Sequence, residues 1–256
     1  MRRRWVPLWA VKDLLADGAL TAVPAAGTRL RIPMPARLSF YYGPMDCGKS
    51  TLALQIDHNQ ARQGRRGLLL TRYDRSQRPE ITTRVGLSHA AIEVQDDTDL
   101  RQLVRDAWTG GRELDYLIVD EAGFLSPEHV DQLVELVDDW HVDVFCFGLA
   151  TDFRSLLLPG AKRLFELADD LVRVHVEVLC WCGRPGRLNA RVVDGEIVRA
   201  GDTVVVADTA VVADTGPALD RAGLAPVRYQ VLCRLHFRLG QLSAAEPGAG
   251  QLILDV

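Results

Sequence analysis

One complete phosphate-binding loop restricts the fold of this chain more than any other feature of its sequence. Residues 43–50 read Gly-Pro-Met-Asp-Cys-Gly-Lys-Ser and match the pattern G-x-x-x-x-G-K-[ST]. An apolar, aromatic run at 37–42 predicts a strand before the loop, and helical apolar spacing begins at Thr51. In this setting the backbone N–H groups cradle a polyphosphate, Lys49 reaches the β- and γ-phosphates, and the Ser50 hydroxyl binds Mg²⁺. The sequence therefore predicts a nucleotide-binding domain.

Strand and helix patterns alternate along the chain after this loop. We predict strands at 67–72, 116–119, 142–147 and 172–178, and helices at 51–63, 98–109, 126–140 and 160–169. This alternation is typical of a mainly parallel sheet with helices on both faces. The predicted fold class is α/β, a P-loop NTPase-type sheet flanked by helices, followed by a small C-terminal metal-binding domain.

The predicted domain organisation has a nucleotide-binding part and a metal-binding part. They span residues 37–178 and 179–240, with an insertion near 210–226, where glycine and proline mark turns, and a C-terminal tail at 241–256. Residues 1–36 are predicted to be a poorly ordered N-terminal extension. Alternatively, the start codon has been chosen upstream of the true one, which would be that of Met34. A targeting signal is disfavoured there, because the apolar run is short and is broken by proline.

Composition excludes some classes of partner. The net charge of −4 does not suggest a nucleic-acid-binding protein. No apolar run approaches the roughly 18 residues of a membrane-spanning helix, so we expect no membrane segment. The five cysteines form no dense framework, which fits a reducing, cytoplasmic environment.

Two carboxylates, Asp120 and Glu121, follow the apolar run at 117–119. The carboxyl ends of parallel strands meet at one edge of the sheet, so we expect the pair to face the phosphate loop. Asp120 suits the Mg²⁺ shell, and Glu121 is then free to act as a general base. The pair alone allows a hydrolase, in which Glu121 aligns water, or a kinase, in which it accepts a proton from a substrate hydroxyl.

Four residues in the C-terminal part have the types and spacing of zinc ligands. Cys180 and Cys182 form one pair, and Cys233 and His236 form the other. Three thiolates and one imidazole match a tetrahedral structural zinc site with no open position. Another thiol, that of Cys47, lies inside the phosphate loop. The helix N-terminus is expected to lower its pKa and to make it sensitive to oxidation.

Four motifs follow one another along the chain in a specific combination. They are the phosphate loop, Asp120-Glu-x-x-Phe124, the segment 148–154 (Gly-Leu-Ala-Thr-Asp-Phe-Arg), and the Cys-x-Cys and Cys-x-x-His pairs. The combination resembles the thymidine kinase family of the cytosolic type, which carries a zinc-binding lasso domain, over about residues 37–240. The resemblance implies ATP-dependent phosphorylation of thymidine at the 5′-hydroxyl, giving dTMP and ADP for deoxynucleotide salvage and DNA synthesis. It also implies Mg²⁺ with ATP, a structural Zn²⁺, a cytoplasmic homotetramer, feedback inhibition by dTTP, and neither membrane nor nucleic-acid partners.

The same resemblance implies a role for individual residues. Glu121 matches the catalytic glutamate. The residues expected to bind ATP and its metal ion are Gly43, Pro44, Met45, Asp46, Cys47, Gly48, Lys49, Ser50, Asp120, Glu121, Ala122, Gly123 and Arg75, with Ser50 and Asp120 at Mg²⁺. The residues expected around the nucleoside are Phe124, Leu149, Phe153, Arg154 and Tyr229. The zinc ligands are Cys180, Cys182, Cys233 and His236.

This chain departs from the family pattern at several positions. Gly123 stands where glutamine is usual and is expected to loosen its loop, and Leu158 stands where a second pocket aromatic is expected. The acidic residue of the Asp-x-Arg motif is shifted to Asp74, directly before Arg75. Two alternatives therefore stay open: a P-loop ATPase whose zinc module contacts nucleic acid, and a catalytically weakened nucleoside-binding homologue.

Overall fold

The computed structural model describes residues 35–72, 79–83, 86–109, 114–201 and 227–243. Contacts divide the chain into Met1–Pro35 and Ala36–Val256, so the nucleotide-binding and C-terminal parts belong to one unit. The predicted boundary between residues 178 and 179 stays a prediction. The predicted extension, apart from its last two residues, and the insertion at 210–226 lie outside the described residues. No helix of the described part is both long enough and apolar enough to cross a membrane.

The described elements confirm the α/β fold class. The strands are β1 (Leu38–Tyr42), β2 (Gly67–Thr71), β3 (Glu80–Thr82), β4 (Ser88–Ala90), β5 (Ile92–Glu93), β6 (Tyr116–Asp120), β7 (Asp143–Gly148), β8 (Asp170–Arg173), β9 (Leu188–Val193), β10 (Glu196–Val198) and β11 (Arg228–Leu232). The helices are α1 (Lys49–Arg62), α2 (Leu100–Thr109), α3 (Pro127–Asp138), α4 (Pro159–Leu167) and α5 (Arg234–Leu239), with a 3-10 helix at Ala122–Phe124. Six strands form a parallel sheet in the order β5-β2-β6-β7-β1-β8.

Both faces of this sheet are buried, as the apolar run in β6 illustrates. Successive side chains of a strand point to opposite faces. Leu117 and Val119 pack in one hydrophobic cluster with α2, α3 and α4. Tyr116 and Ile118 pack in a second cluster with Ala53 of α1. Apolar residues at 117–119 are therefore required, since helices cover the sheet on both sides.

The start of α3 is fixed by a reciprocal cap. The Ser126 hydroxyl accepts a hydrogen bond from the His129 backbone N–H at 3.2 Å, and the His129 ring Nδ1 accepts one from the Ser126 N–H at 3.4 Å. Pro127 occupies the first turn, where its missing N–H costs nothing. The predicted N-cap at Ser126 is confirmed.

The predicted strand at 172–178 begins two residues too late and extends five residues too far. β8 ends at Arg173, and its partner β1 ends at Tyr42, where the phosphate loop begins. The Val174 N–H still donates to the Tyr42 carbonyl at 2.9 Å, but the following residues have no strand. The valine alternation continues beyond the point where β1 can pair with it.

The C-terminal part is a small antiparallel sheet in the order β10-β9-β11, followed by α5. Its buried cluster contains Cys180, Ala190, Leu232, Cys233 and Phe237. Two of these residues are predicted zinc ligands, so the hydrophobic centre of this part adjoins the predicted metal site.

Candidate active site

The phosphate loop runs from the carboxyl end of β1 to the start of α1. Gly48 (φ 78°) and Asp46 (φ 67°) both adopt the left-handed backbone conformation that such a tight loop requires. The Lys49 ammonium is buried and donates a hydrogen bond to the Pro44 carbonyl at 2.8 Å. The ammonium group thus lies within the loop that the motif predicts to hold phosphate.

Cys47 is a buried structural residue of this loop. Its thiol is fully buried, and a Cβ atom added at Gly43 would lie 2.5 Å from its sulfur. Burial raises the pKa of the Cys47 thiol, and this effect outweighs the lowering by the nearby Lys49 charge. The predicted lowering of the pKa is therefore wrong, because desolvation dominates over the positive charge at this end of the helix.

The Ser50 hydroxyl and the Asp120 carboxylate meet at the edge of the sheet. Ser50 Oγ donates to Asp120 Oδ2 at 2.8 Å, and Asp120 is buried at the end of β6. Adjacent oxygens around an octahedral Mg²⁺ are about 2.9 Å apart, given metal–oxygen distances of about 2.05 Å. The two oxygens therefore fit adjacent ligand positions of a magnesium ion.

Glu121 adopts an uncommon backbone conformation directly after β6. Its φ angle is 53°, in the left-handed region, and its N–H donates to Asp120 Oδ1 at 3.0 Å. A non-glycine residue pays roughly 1–2 kcal/mol for this conformation, and such residues cluster at active sites. The turn keeps Glu121 beside the carboxylate that contacts Ser50.

Three glycines hold the segment after this acidic pair in close packing. A Cβ atom added at Gly123 would lie 2.4 Å from the Leu149 carbonyl oxygen, and one at Gly160 would lie 2.4 Å from the Ala122 carbonyl oxygen. A Cβ atom at Gly148 would lie 2.7 Å from the Gly123 nitrogen. Gly123 thus permits a close approach between two backbones, and the segment is packed tightly instead of being loosened.

Four of the five side chains predicted to surround the nucleoside follow β6 and β7, and the fifth, Tyr229, lies in β11. Leu149 and Phe153 are buried, and Phe124 is partly buried against the main hydrophobic cluster. Asp152 shapes the loop after β7, because its Oδ1 accepts from the Arg154 N–H at 2.9 Å and its Oδ2 accepts from Arg154 Nε at 2.8 Å. Arg154 is therefore anchored within its own loop.

Sequence reasoning missed two polar residues on β9 that reach this region. Asn189 Oδ1 accepts from the Met45 N–H in the phosphate loop at 2.9 Å. Arg191 Nε donates to the Tyr229 hydroxyl at 3.1 Å, and its Cζ lies 3.7 Å from the ring centroid of Phe153. Polar residues at positions i and i+2 of a strand share one face, and this pattern in Leu-Asn-Ala-Arg was the available signal.

The four predicted zinc ligands lie together, with all ligand atoms within 4.8 Å of one another. The Cys180 and Cys233 sulfurs lie 3.4 and 3.6 Å from His236 Nδ1, and the Cys182 and Cys233 sulfurs are 3.9 Å apart. In tetrahedral zinc sites the bonds are about 2.3 Å to sulfur and about 2.05 Å to nitrogen. Two sulfur ligands then lie about 3.8 Å apart, and a sulfur and a nitrogen ligand lie about 3.6 Å apart. The cluster could therefore hold one tetrahedral metal ion, and all its cysteines are free of disulfides.

The surroundings of the cluster support ligation. The Trp181 ring stacks on the His236 ring, with centroids 4.1 Å apart and planes at 12°. Trp181 Nε1 donates to the Gln241 carbonyl at 3.2 Å, which fixes the stack. The backbone N–H of His236 hydrogen-bonds the Cys233 sulfur and lowers the pKa of that thiol. This shift favours the thiolate, which is the form that binds metal, at Cys233 alone.

Arg75 and Leu158 are the two remaining positions that the sequence singled out. Arg75, together with Tyr73 and Asp74, lies outside the described residues. Leu158 is buried at the N-cap of α4, and its Cδ1 would lie 3.1 Å from a Cβ atom at Gly123. The two departures from the family pattern are therefore neighbours in the structure.

Comparisons with known proteins identify the family of this chain. The family model described as thymidine kinase matches residues 36–209. Curated thymidine kinases from Cutibacterium acnes and Streptomyces avermitilis are 49% and 48% identical, covering 80% and 81% of this chain and 89% and 91% of those proteins. A thymidine kinase from Legionella pneumophila strain Lens is 32% identical over 83% of this chain and 94% of that protein.

One of the solved structures that resemble this chain is a helicase of low similarity. The Pif1 helicase from Candida albicans shares 15% identity and a TM-score of 0.35, covering 54% of this chain and 36% of that one. This likeness is too low to bear on fold or function. On the family model and the curated relatives, the chain belongs to the thymidine kinase family and is a phosphotransferase.

Proposed function

We propose that this protein transfers the γ-phosphoryl group of ATP to the 5′-hydroxyl of thymidine, giving dTMP and ADP for deoxynucleotide salvage. The observation that carries the proposal is the contact of Ser50 with Asp120 at 2.8 Å, directly beside Glu121, in a member of the thymidine kinase family. This arrangement supports a site in which Asp120 binds the metal ion and Glu121 accepts a proton from the substrate.

In the proposed reaction the phosphate loop binds the triphosphate through its backbone N–H groups and the Lys49 ammonium. Ser50 and Asp120 would hold Mg²⁺, which neutralises charge on the phosphates when it is bound. Glu121 accepts the proton of the 5′-hydroxyl while that oxygen bonds to the γ-phosphorus. The bond from the γ-phosphorus to the bridging oxygen breaks, and ADP leaves with that oxygen. The chain contributes positioning and charge, with no covalent intermediate.

We propose that the nucleoside lies among Phe124, Leu149, Phe153, Arg154 and Tyr229, as the family resemblance implies. The burial of Leu149 and Phe153 supports a pocket that excludes water around a pyrimidine base. In a pocket without water, each polar group of a wrong base that finds no hydrogen-bond partner reduces the binding free energy by about 1–3 kcal/mol. This cost would make the enzyme selective among nucleosides.

We further propose that Zn²⁺ binds to Cys180, Cys182, Cys233 and His236 and has a folding role, since four protein ligands leave no open position. The family resemblance also carries three further expectations: a homotetramer, inhibition by dTTP at the nucleoside site, and a cytoplasmic location. Each of these is a prediction for experiment, as are the roles of the individual site residues.

The Glu121→Gln variant tests the proposed base. Glutamine keeps the size of the side chain but cannot accept a proton, so we expect kcat to fall by about 10²–10⁴-fold while ATP still binds. The matched control is Glu128→Gln, an exposed residue in the first turn of α3, which should keep normal turnover. Near-normal kcat for Glu121→Gln, with intact ATP binding, would show that the base has been misassigned.

A further inference from the structure

Arg191 is a buried cation for which the proposed reaction has no assigned role. It lies in β9, and only 3% of its surface is exposed. Arginine stays charged at any physiological pH, and burying a charged side chain is unfavourable unless it gains specific contacts. The contacts of Arg191 therefore indicate what it does.

Those contacts join two parts of the fold. The Arg191 Cζ lies 3.7 Å from the ring centroid of Phe153, which belongs to the loop after β7 of the parallel sheet. Arg191 Nε donates to the Tyr229 hydroxyl at 3.1 Å, and Tyr229 is the residue of β11 directly opposite Arg191 in the antiparallel pair. One guanidinium group thus contacts an aromatic residue from each part of the chain.

The chemistry of the guanidinium group suits this double contact. Its planar face stacks on an aromatic ring while its N–H groups donate within the plane. Lysine has a single ammonium point charge and cannot stack and donate in this way, so the exchange is not conservative here. The contacts fix the Phe153 ring from one face and hold the Tyr229 hydroxyl in place.

We propose that Arg191 is a positioning residue for the nucleoside, acting through Phe153 and Tyr229. This inference rests on the proposed function, because the resemblance alone places these two aromatics beside the base. Arg191 sets the distance between the loop after β7 and the C-terminal sheet at the position where the base is to bind. Its loss should therefore weaken nucleoside binding, while the phosphate loop, which contacts β9 through Asn189, keeps its own hydrogen bond.

The test compares Arg191→Met and Arg191→Lys with the wild type, using steady-state kinetics with thymidine and ATP varied in turn. We expect both variants to raise KM for thymidine by about tenfold, the size of one desolvated stacking contact. KM for ATP should stay within about twofold. The matched control is Arg105→Met in α2, whose guanidinium Cζ lies 5.4 Å from the Trp140 ring centroid on an exposed surface, and it should change neither KM.

A double-mutant cycle with Phe153→Leu and Arg191→Met separates positioning from general stability. Positioning predicts that the effects on the thymidine KM are not additive, since each change removes the same contact. A lower melting temperature with an unchanged thymidine KM in both Arg191 variants would overturn the inference, as would full recovery by lysine. If Arg191→Met does not fold, the lysine variant carries the test. Wild-type turnover of thymidine tests the proposed function separately, and its absence would overturn both.

Discussion

Gly123 allows a quantitative prediction about the segment that carries the proposed base. A Cβ atom added there would lie 2.4 Å from the Leu149 carbonyl oxygen. Ordinary contacts of this kind are about 3.3 Å, so the Gly123→Ala variant requires the carbonyl to retreat by roughly 0.9 Å. The obstacle is backbone at the end of a central strand, and overpacking of this kind costs about 1–3 kcal/mol. At about 2–4 °C for each kcal/mol in a chain of this size, the melting temperature should fall by about 2–12 °C.

Thermal unfolding followed by circular dichroism measures this shift. The matched control is Gly195→Asn, because Gly195 has a φ angle of 80° and nothing within 4 Å of an added Cβ atom. Asparagine tolerates the left-handed conformation, so this change should leave the melting temperature nearly unaltered. Gly123→Gln, which restores the residue usual in the family, should destabilise the protein at least as much as alanine does. A melting temperature for Gly123→Ala at or above that of the wild type would refute the packing argument.

Three further predictions concern the metal site, the phosphate loop and the core. Cys233→Ser should leave less than one tightly bound zinc per chain and lower the melting temperature, as measured by metal analysis and calorimetry; a full zinc content would rule out this ligand set. Because burial raises the pKa of Cys47, iodoacetamide at pH 8 should alkylate this thiol far more slowly in the native protein than in the denatured protein. The rate of alkylation of the native protein should rise at higher pH. Equal rates for the native and the denatured protein, measured by mass spectrometry, would contradict the burial of Cys47. Tyr116→Phe removes the hydrogen bond of 2.7 Å to Asp57 and should cost about 1.5 kcal/mol in the free energy of unfolding measured with urea; an unchanged midpoint would mean that this bond adds no stability.

Local patterns in the sequence predicted much of this fold. The apolar run in β6, the phosphate loop and the cap at Ser126 each depend on residues that are neighbours in sequence, so local spacing suffices to predict them. The Cys and His pairs were also recognisable, because each pair is close in sequence and its residue types suit few other roles. Their meeting within 4.8 Å is what the ligand hypothesis requires.

Long-range packing accounts for what the sequence did not reveal. The contact from Asn189 to Met45 joins residues 144 positions apart, and no local pattern encodes it. The pKa of Cys47 depends on burial by the folded chain, which reverses the expectation from its place before a helix. The close approach at Gly123 likewise arises between two segments that meet only in the fold. The valine pattern after Arg173 does not continue as a strand, because its partner strand β1 ends at Tyr42.

The proposed function requires that the γ-phosphoryl group of ATP goes to a nucleoside hydroxyl. The most direct measurement incubates the purified full-length protein with Mg²⁺ and γ-labelled ATP, offering thymidine, deoxyuridine, deoxycytidine or water alone as acceptor. The proposed function predicts labelled dTMP as the main product, little label on deoxycytidine and little free phosphate without a nucleoside. Release of free phosphate at the same rate with and without thymidine, and no labelled nucleotide, would contradict it.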